Sequence, residues 1–177
     1  MKKIKLLAIS GSLRKNSYNS AALKMISNIS PEHIEIIIGD ISKLPLFNPD
    51  LEPGIIPALD KIKLELNASS GLIISSPEYA HGISAPMKNV LDWLVSSFEF
   101  PDSPIMIINT APRAHHGLDV LKEVLKTMSG NIIENAYVSI PLLGSVLVDG
   151  EISEASHFEA KLSEGLNNFY NEVVKIE

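Results

Sequence analysis

Short apolar runs alternate with longer stretches in which apolar residues recur every three or four positions, and the alternation repeats five times along the chain. Continuous apolar runs of this length read as strands buried on both faces, and recurrence at helical spacing reads as amphipathic helix. The first run, residues 4–9, breaks off into small hydroxyl residues and a glycine. A helix is predicted from Tyr18 to Asn28, with Tyr18, Ala22, Met25 and Ile26 at helical spacing, Ser17 as N-cap and Pro31 just beyond. A β-branched strand follows at 34–38. Residues 40–57 hold Pro45, Pro49, Pro53 and Gly54 and read as a long loop, with Leu46 and Phe47 pinned to the body. A helix at 57–67 has Pro57 in its first turn. The pattern continues with strand 71–75, loop 76–84, helix 86–97, strand 105–109 and loop 110–117. It closes with a helix to Ser129, strand 132–139 and a last helix within 153–175.

This alternation predicts a single α/β domain, a doubly wound five-stranded parallel sheet with helices on both faces. No internal repeat, low-complexity tract or linker divides it. In such sheets ligands sit beyond the carboxyl ends of the strands, where the winding reverses. The loops after strands one, three and four therefore converge on one crevice.

The first of these loops runs Ser10-Gly11-Ser12-Leu13-Arg14-Lys15-Asn16-Ser17-Tyr18-Asn19-Ser20. Strand, polar loop and helix start in that order make an anion site, because the first amides of a helix lack internal partners and carry its positive end. Ser10, Ser12 and Ser17 add hydroxyls, and Arg14 adds a guanidinium that can grip a terminal phosphate in a fork. The loop is not a Walker A motif, since no Gly-Lys pair precedes Ser17, and Gly11 alone does not make a dinucleotide fingerprint. The plainer alternative is a polar turn that caps a helix.

The second loop, from Ser75 to Pro86, is stiffened by Pro77 and Pro86. A stiff loop presents backbone groups to a flat heterocycle, which Tyr79 and His81 would frame. The alternatives are a structural or solvated Glu78, a surface His81 and, on the next helix, a Trp93 that packs rather than touches a ligand. The third loop, from Asn109 to Gly117, offers Arg113 and the pair His115-His116 to a phosphate, a ring edge or an anionic substrate, or else it only caps a helix. Adjacent histidines point apart on a helix, and no carboxylate accompanies them at i+4, so no metal site is expected.

Composition narrows the classes further. The net charge is −6, from 15 basic against 21 acidic side chains, and no basic stripe is present, so nucleic acid is not an expected partner. Absence of cysteine excludes disulfides, thiolate catalysis and Cys-ligated metals. No G-x-S-x-G elbow accompanies the many serines, which argues against a serine hydrolase. The N-terminal apolar run is of strand length, shorter than a secretory signal core, and no run approaches the ~20 residues of a membrane span. A cytoplasmic protein with no membrane partner is expected.

Two segments carry a resemblance. Residues Gly11 to Asn19 look like a G-S-L-R-x-x-S-x-N phosphate loop. Pro77-Glu78-Tyr79, followed by Pro86-Met87-Lys88-Asn89-Val90-Leu91-Asp92-Trp93, is similar to P-E-Y-N…P-x-x-L-K-N-x-x-D-W. Both belong to the NAD(P)H-dependent FMN reductases, a flavodoxin-like family that includes quinone, azo-dye and chromate reductases. The resemblance implies strand order 2-1-3-4-5, FMN as cofactor and NAD(P)H as donor. It implies that Ser12, Arg14, Ser17 and Asn19 hold the FMN phosphate, and that Pro77, Glu78, Tyr79 and the backbone through His81 line the isoalloxazine. Ser10, Tyr18, Ala80, Thr110 and Arg113, from the same three loops, complete the expected cofactor-binding set. No side chain is implied as a catalytic acid or base, since hydride would pass from nicotinamide through flavin N5 to an acceptor such as free flavin, a quinone or an azo compound, with ping-pong kinetics. A homodimer or homotetramer is implied as well. The chain departs from the pattern at Ala80, where the family has Asn, and in the third loop, which lacks the glycine-rich run of relatives. Two other classes compete: a flavodoxin-type electron carrier, and a nucleotide-processing transferase or hydrolase on the same fold.

Overall fold

The computed structural model describes residues 1–113, 115–153 and 156–176. Its elements in order begin with β1 (Ile4–Ser10), α1 (Tyr18–Asn28), β2 (Ile34–Gly39), α2 (Pro57–Asn67) and β3 (Gly71–Ser75). A small hairpin follows, β4 (Glu78–Tyr79) and β5 (Gly82–Ile83), then α3 (Ala85–Leu94), β6 (Pro104–Asn109) and α4 (His116–Thr127). The chain ends with β7 (Asn131–Ile132), β8 (Val138–Ser139), a second hairpin of β9 (Leu147–Val148) and β10 (Glu151–Ile152), and α5 (Ser156–Ile176). Glu154 and Ala155, at the start of the segment expected to hold the last helix, lie outside the described residues.

The parallel sheet has the order β2-β1-β3-β6, with β7 and β8 successively paired to the outer edge of β6. That is the flavodoxin-like order 2-1-3-4-5, with the fifth position shared by two short pieces. The alternation along each strand shows why both faces are covered. Leu6, Ala8, Ile73, Met106 and Ile108 join Leu23 and Ile26 of α1 and Leu166 and Phe169 of α5 in one core. Their neighbours Leu7, Ile9, Leu72, Ile74, Ile105 and Ile107 join Ile62 of α2, Leu91 and Leu94 of α3, and Leu121 and Leu125 of α4 in the other. Side chains of a strand point alternately to the two faces, so an unbroken apolar run is what a doubly covered sheet requires.

The differences from the sequence reading are local. Residues 132–139 are not one strand: a 3-10 turn at Glu134–Ala136 interrupts them. The turn lets Ala136 and Val138 bury against the α5 core while Tyr137 turns to the opposite one. Helix α3 ends at Leu94 rather than at Ser97, because the chain must reverse there to bury Phe100. Phe47 is pinned, with its amide on Asn89 Oδ1 at 2.8 Å and its ring edge-on to Trp93, but Leu46 is 83% exposed. Trp93 is fully buried and donates from Nε1 to Pro45 O at 2.8 Å, a packing role. No helix among the described residues is long and apolar enough to cross a membrane.

Candidate functional site

The carboxyl ends of β1, β3 and β6 lie side by side, so their loops meet at one end of the sheet. The loop after β1 is shaped by its own hydroxyls. Ser10 Oγ accepts from Ser12 N (3.3 Å) and Ser12 Oγ from Arg14 N (3.4 Å), two successive serine turns. Ser17 caps α1 by accepting from Ser20 N at 3.3 Å. Residues 13–16 are exposed, and among the described residues the Arg14 guanidinium makes no hydrogen bond or ion pair. The first amides of α1 point out of the helix into this loop, as at any helix start.

Two buried links tie the loop to its neighbours. Gly11 N donates to Ser75 O at 2.8 Å, and Ser84 Oγ donates to Gly11 O at 2.6 Å. A Cβ at Gly11 would overlap the Ser76 and Ser84 hydroxyls, so only glycine allows this approach. Asn19 is buried; its Oδ1 accepts from Thr110 Oγ1 (3.2 Å) and lies 2.9 Å from the buried Ser75 hydroxyl. Asn19, Ser75 and Thr110 thus bolt the ends of β3 and β6 to the first turn of α1 under the loop.

The hairpin β4–β5 turns at Ala80 and His81, both at positive φ (48° and 60°), the two-residue geometry that matches strand twist. It is tied to α4 twice. Glu78 Oε2 accepts from Gly117 N at 2.7 Å, a carboxylate on a helix start. The His81 ring stacks on His116 with centroids 4.4 Å apart, and His116 lies 4.1 Å from His115. Glu78 is therefore a structural carboxylate, and the third loop's histidines join the hairpin tip to the helix.

These loops enclose a cleft of about 200 Å³ lined by Ser12, Arg14, Ser17, Tyr18, Asn19 and Pro77, and further by Glu78, Tyr79, Thr110, Ala111 and Leu143. Nine of the sequence-predicted residues come together there; Ser10, Ala80, His81 and Arg113 lie outside the lining. Ser10 is turned inward, its hydroxyl paired with that of Ser20 at 2.9 Å. Ala114, in the third loop, lies outside the described residues. Sequence reasoning missed Leu143, which a turn around Gly144 brings to the cleft from beyond β8. The available signal was the glycine after a pair of leucines that ends an apolar run.

The donor set of this cleft fits a phosphate ester of a flat heterocycle. A guanidinium with no partner among the described residues, two hydroxyls and a helix start lie at one side, and a proline-stiffened hairpin with an exposed tyrosine at the other. Fold and site together define a flavodoxin-like α/β protein with a mononucleotide-type crevice at the open end of its sheet. The chain belongs to the NADPH-dependent FMN reductase family, whose model matches residues 4–142. It is 40% identical over 101 residues to an NAD(P)H-dependent FMN reductase of Pseudomonas aeruginosa, covering 56% of this chain and 55% of that protein. It is 27% identical to an NADPH azoreductase of a Bacillus species, over 97% of both chains. The matched stretch spans about half the length of the first curated relatives. Among solved structures, a flavoenzyme NAD(P)H:acceptor oxidoreductase of Paracoccus denitrificans superposes with a TM-score of 0.77 at 21% identity, covering 97% of this chain and 98% of that one.

Proposed function

We propose that the protein binds FMN in this cleft and reduces a small-molecule acceptor with NAD(P)H. The observation that carries the reading is the meeting, in one cleft, of Ser12, Arg14 and Ser17 at the α1 start with Pro77, Glu78 and Tyr79 of the hairpin. The chemistry that FMN supplies when bound is hydride acceptance from a reduced nicotinamide and electron delivery to an acceptor. The chain's own work is positional. Arg14 and the hydroxyls hold the phosphate, with charge-assisted bonds from the guanidinium. The hairpin sets the ring plane and is kept in place by Glu78 on Gly117 N and by the histidine stack. Tyr79, half exposed, and Leu143 make the rim apolar, which suits planar acceptors such as free flavin, quinones or azo compounds. Donor and acceptor use one open face in turn, so parallel double-reciprocal lines are expected.

The reading takes the protein as cytoplasmic, where reduced nicotinamides are supplied, and as a homodimer or homotetramer. An exposed apolar set of Ile55, Val95 and Phe98 supports the latter, two segments that the Ser96 Oγ–Glu52 Oε1 bond of 2.8 Å brings together. The test is direct. Protein incubated with FMN and desalted is expected to be yellow and to bleach on anaerobic addition of NADPH. Arg14→Ala is expected to lose at least tenfold in FMN affinity, since a charged hydrogen bond contributes about 1.5–3 kcal/mol. A colourless protein that leaves NADPH unoxidised would overturn the reading, and unchanged affinity in Arg14→Ala would remove the phosphate loop from it.

A further inference from the structure

Beyond β8 the chain folds back across the open end of the sheet as a tight turn. Leu142 is buried, and its amide donates to Thr110 O at 3.1 Å. Ser145 N donates to Leu142 O at 3.0 Å and closes four residues, with Gly144 third at φ 95°, as a type II turn requires. Tyr18 then fastens the far side. Its hydroxyl donates to Ser145 O at 2.9 Å and accepts from Gly144 N at 3.3 Å. Tyr18 directly follows the Ser17 cap, so the turn is held beside the start of α1. The second residue of the turn, Leu143, is 79% exposed and lines the cleft together with Ser12, Arg14 and Ser17. Its side chain packs on neither core and faces the cleft instead.

We propose that this turn is a retaining wall for the cofactor, with Leu143 as the wall and Tyr18 as the positioning residue that holds it. The proposal rests on the reading of the cleft as an FMN site. The phosphate loop is exposed over residues 13–16, so phosphate contacts there exchange readily with water. Slow release needs a barrier, and Leu143 is the apolar residue that lines the cleft beside Ser12, Arg14 and Ser17. The Tyr18 hydroxyl already has a donor and an acceptor partner, so it acts through the turn rather than on the phosphate. The consequence is that FMN stays with the protein between turnovers as a bound cofactor and is not handed on as reduced product. Such an effect lies in the rates of exchange rather than in the affinity.

The experiment measures FMN release from the loaded protein by recovery of free-flavin fluorescence after dilution, for wild type, Tyr18→Phe, Leu143→Ala and the double variant. Each single variant is expected to release FMN about tenfold faster, the loss expected for about one hydrogen bond or one contact. Association is expected to quicken along with release, because a barrier on one path is crossed in both directions, and the preference for FMN over riboflavin is expected to hold, because a wall does not grip the phosphate. The double variant is expected to match the faster single one, since Tyr18 works through Leu143. Arg14→Ala, by contrast, is expected to erase the preference for FMN over riboflavin. Unchanged release in Tyr18→Phe and Leu143→Ala, with FMN still bound, overturns the wall and leaves the cofactor reading intact. Additive effects in the double variant overturn the positioning role of Tyr18. A wild-type protein that takes up no FMN overturns both readings at once. Leu143 is exposed and touches neither core, so its variant tests the wall even if Tyr18→Phe folds poorly.

Discussion

Ala80 sits in the left-handed region at φ 48°, where a Cβ crowds the neighbouring carbonyl and costs roughly 1–2 kcal/mol. Asparagine tolerates that conformation, and asparagine is what the resembling family places there. The structure gives the difference a backbone meaning: this hairpin keeps its turn against the preference of its residue. The ties at Glu78 and His81 hold it in that shape. Ala80→Asn is accordingly expected to stabilise the protein by about 1 kcal/mol and raise Tm by roughly 2–4 °C. A thermal melt that shows no rise would mean the turn carries no strain worth relieving. Asn19 illustrates the opposite limit of residue-level reading. Its position in the phosphate-loop motif was legible, but its bonds to Ser75 and Thr110 join strands whose adjacency only the folded sheet shows.

Helix α3 shows what the second half of the resembling segment does, and its role is architectural. Asn89 and Trp93 are four apart and share a face. Asn89 Nδ2 and Trp93 Nε1 both donate to Pro45 O, at 2.9 and 2.8 Å, while Asn89 Oδ1 takes the Phe47 amide. Lys88 and Asp92 pair along an adjacent face of the same helix. The K-N-x-x-D-W pattern is thus a clamp on the long 40–57 connection, which has few other ties. Asn89→Ala would leave the Phe47 amide without its partner, at a cost of about 1–3 kcal/mol. Faster proteolytic cutting within 40–57 is the expected accompaniment, and a protease-resistant loop in that variant would refute the clamp. Long periodic elements were readable: α1, α2 and β3 have the bounds their patterns predict. The two-residue strands were not, because two residues carry no periodicity. Asp149-Gly150 between β9 and β10 was a readable exception, a turn dipeptide flanked by apolar positions.

At the scale of the molecule, the doubly wound order followed from apolar runs and right-handed crossovers, whereas the break in the fifth strand depends on α5. Its Gly165 lies so close to Val138 that a Cβ would overlap that side chain, and no local pattern reports such an approach. The same scale governs what the surface is for. Phe98 is 98% exposed and Ile55 88%, and the Ser96–Glu52 bond holds their segments side by side. A loop that buries Phe100 fully while presenting Phe98 to water has a reason to do so if a second copy covers it. Self-association through this face is the expected outcome, and light scattering after gel filtration checks it against the 19.3 kDa of one chain. Phe98→Asp is expected to shift the mass toward one chain, because a charge placed at the centre of an apolar contact is costly to desolvate. The monomeric variant should still bind FMN, since none of the cleft residues lies in the 95–98 segment. An unshifted mass in Phe98→Asp would move the interface elsewhere, and a wild-type mass of one chain would remove it altogether.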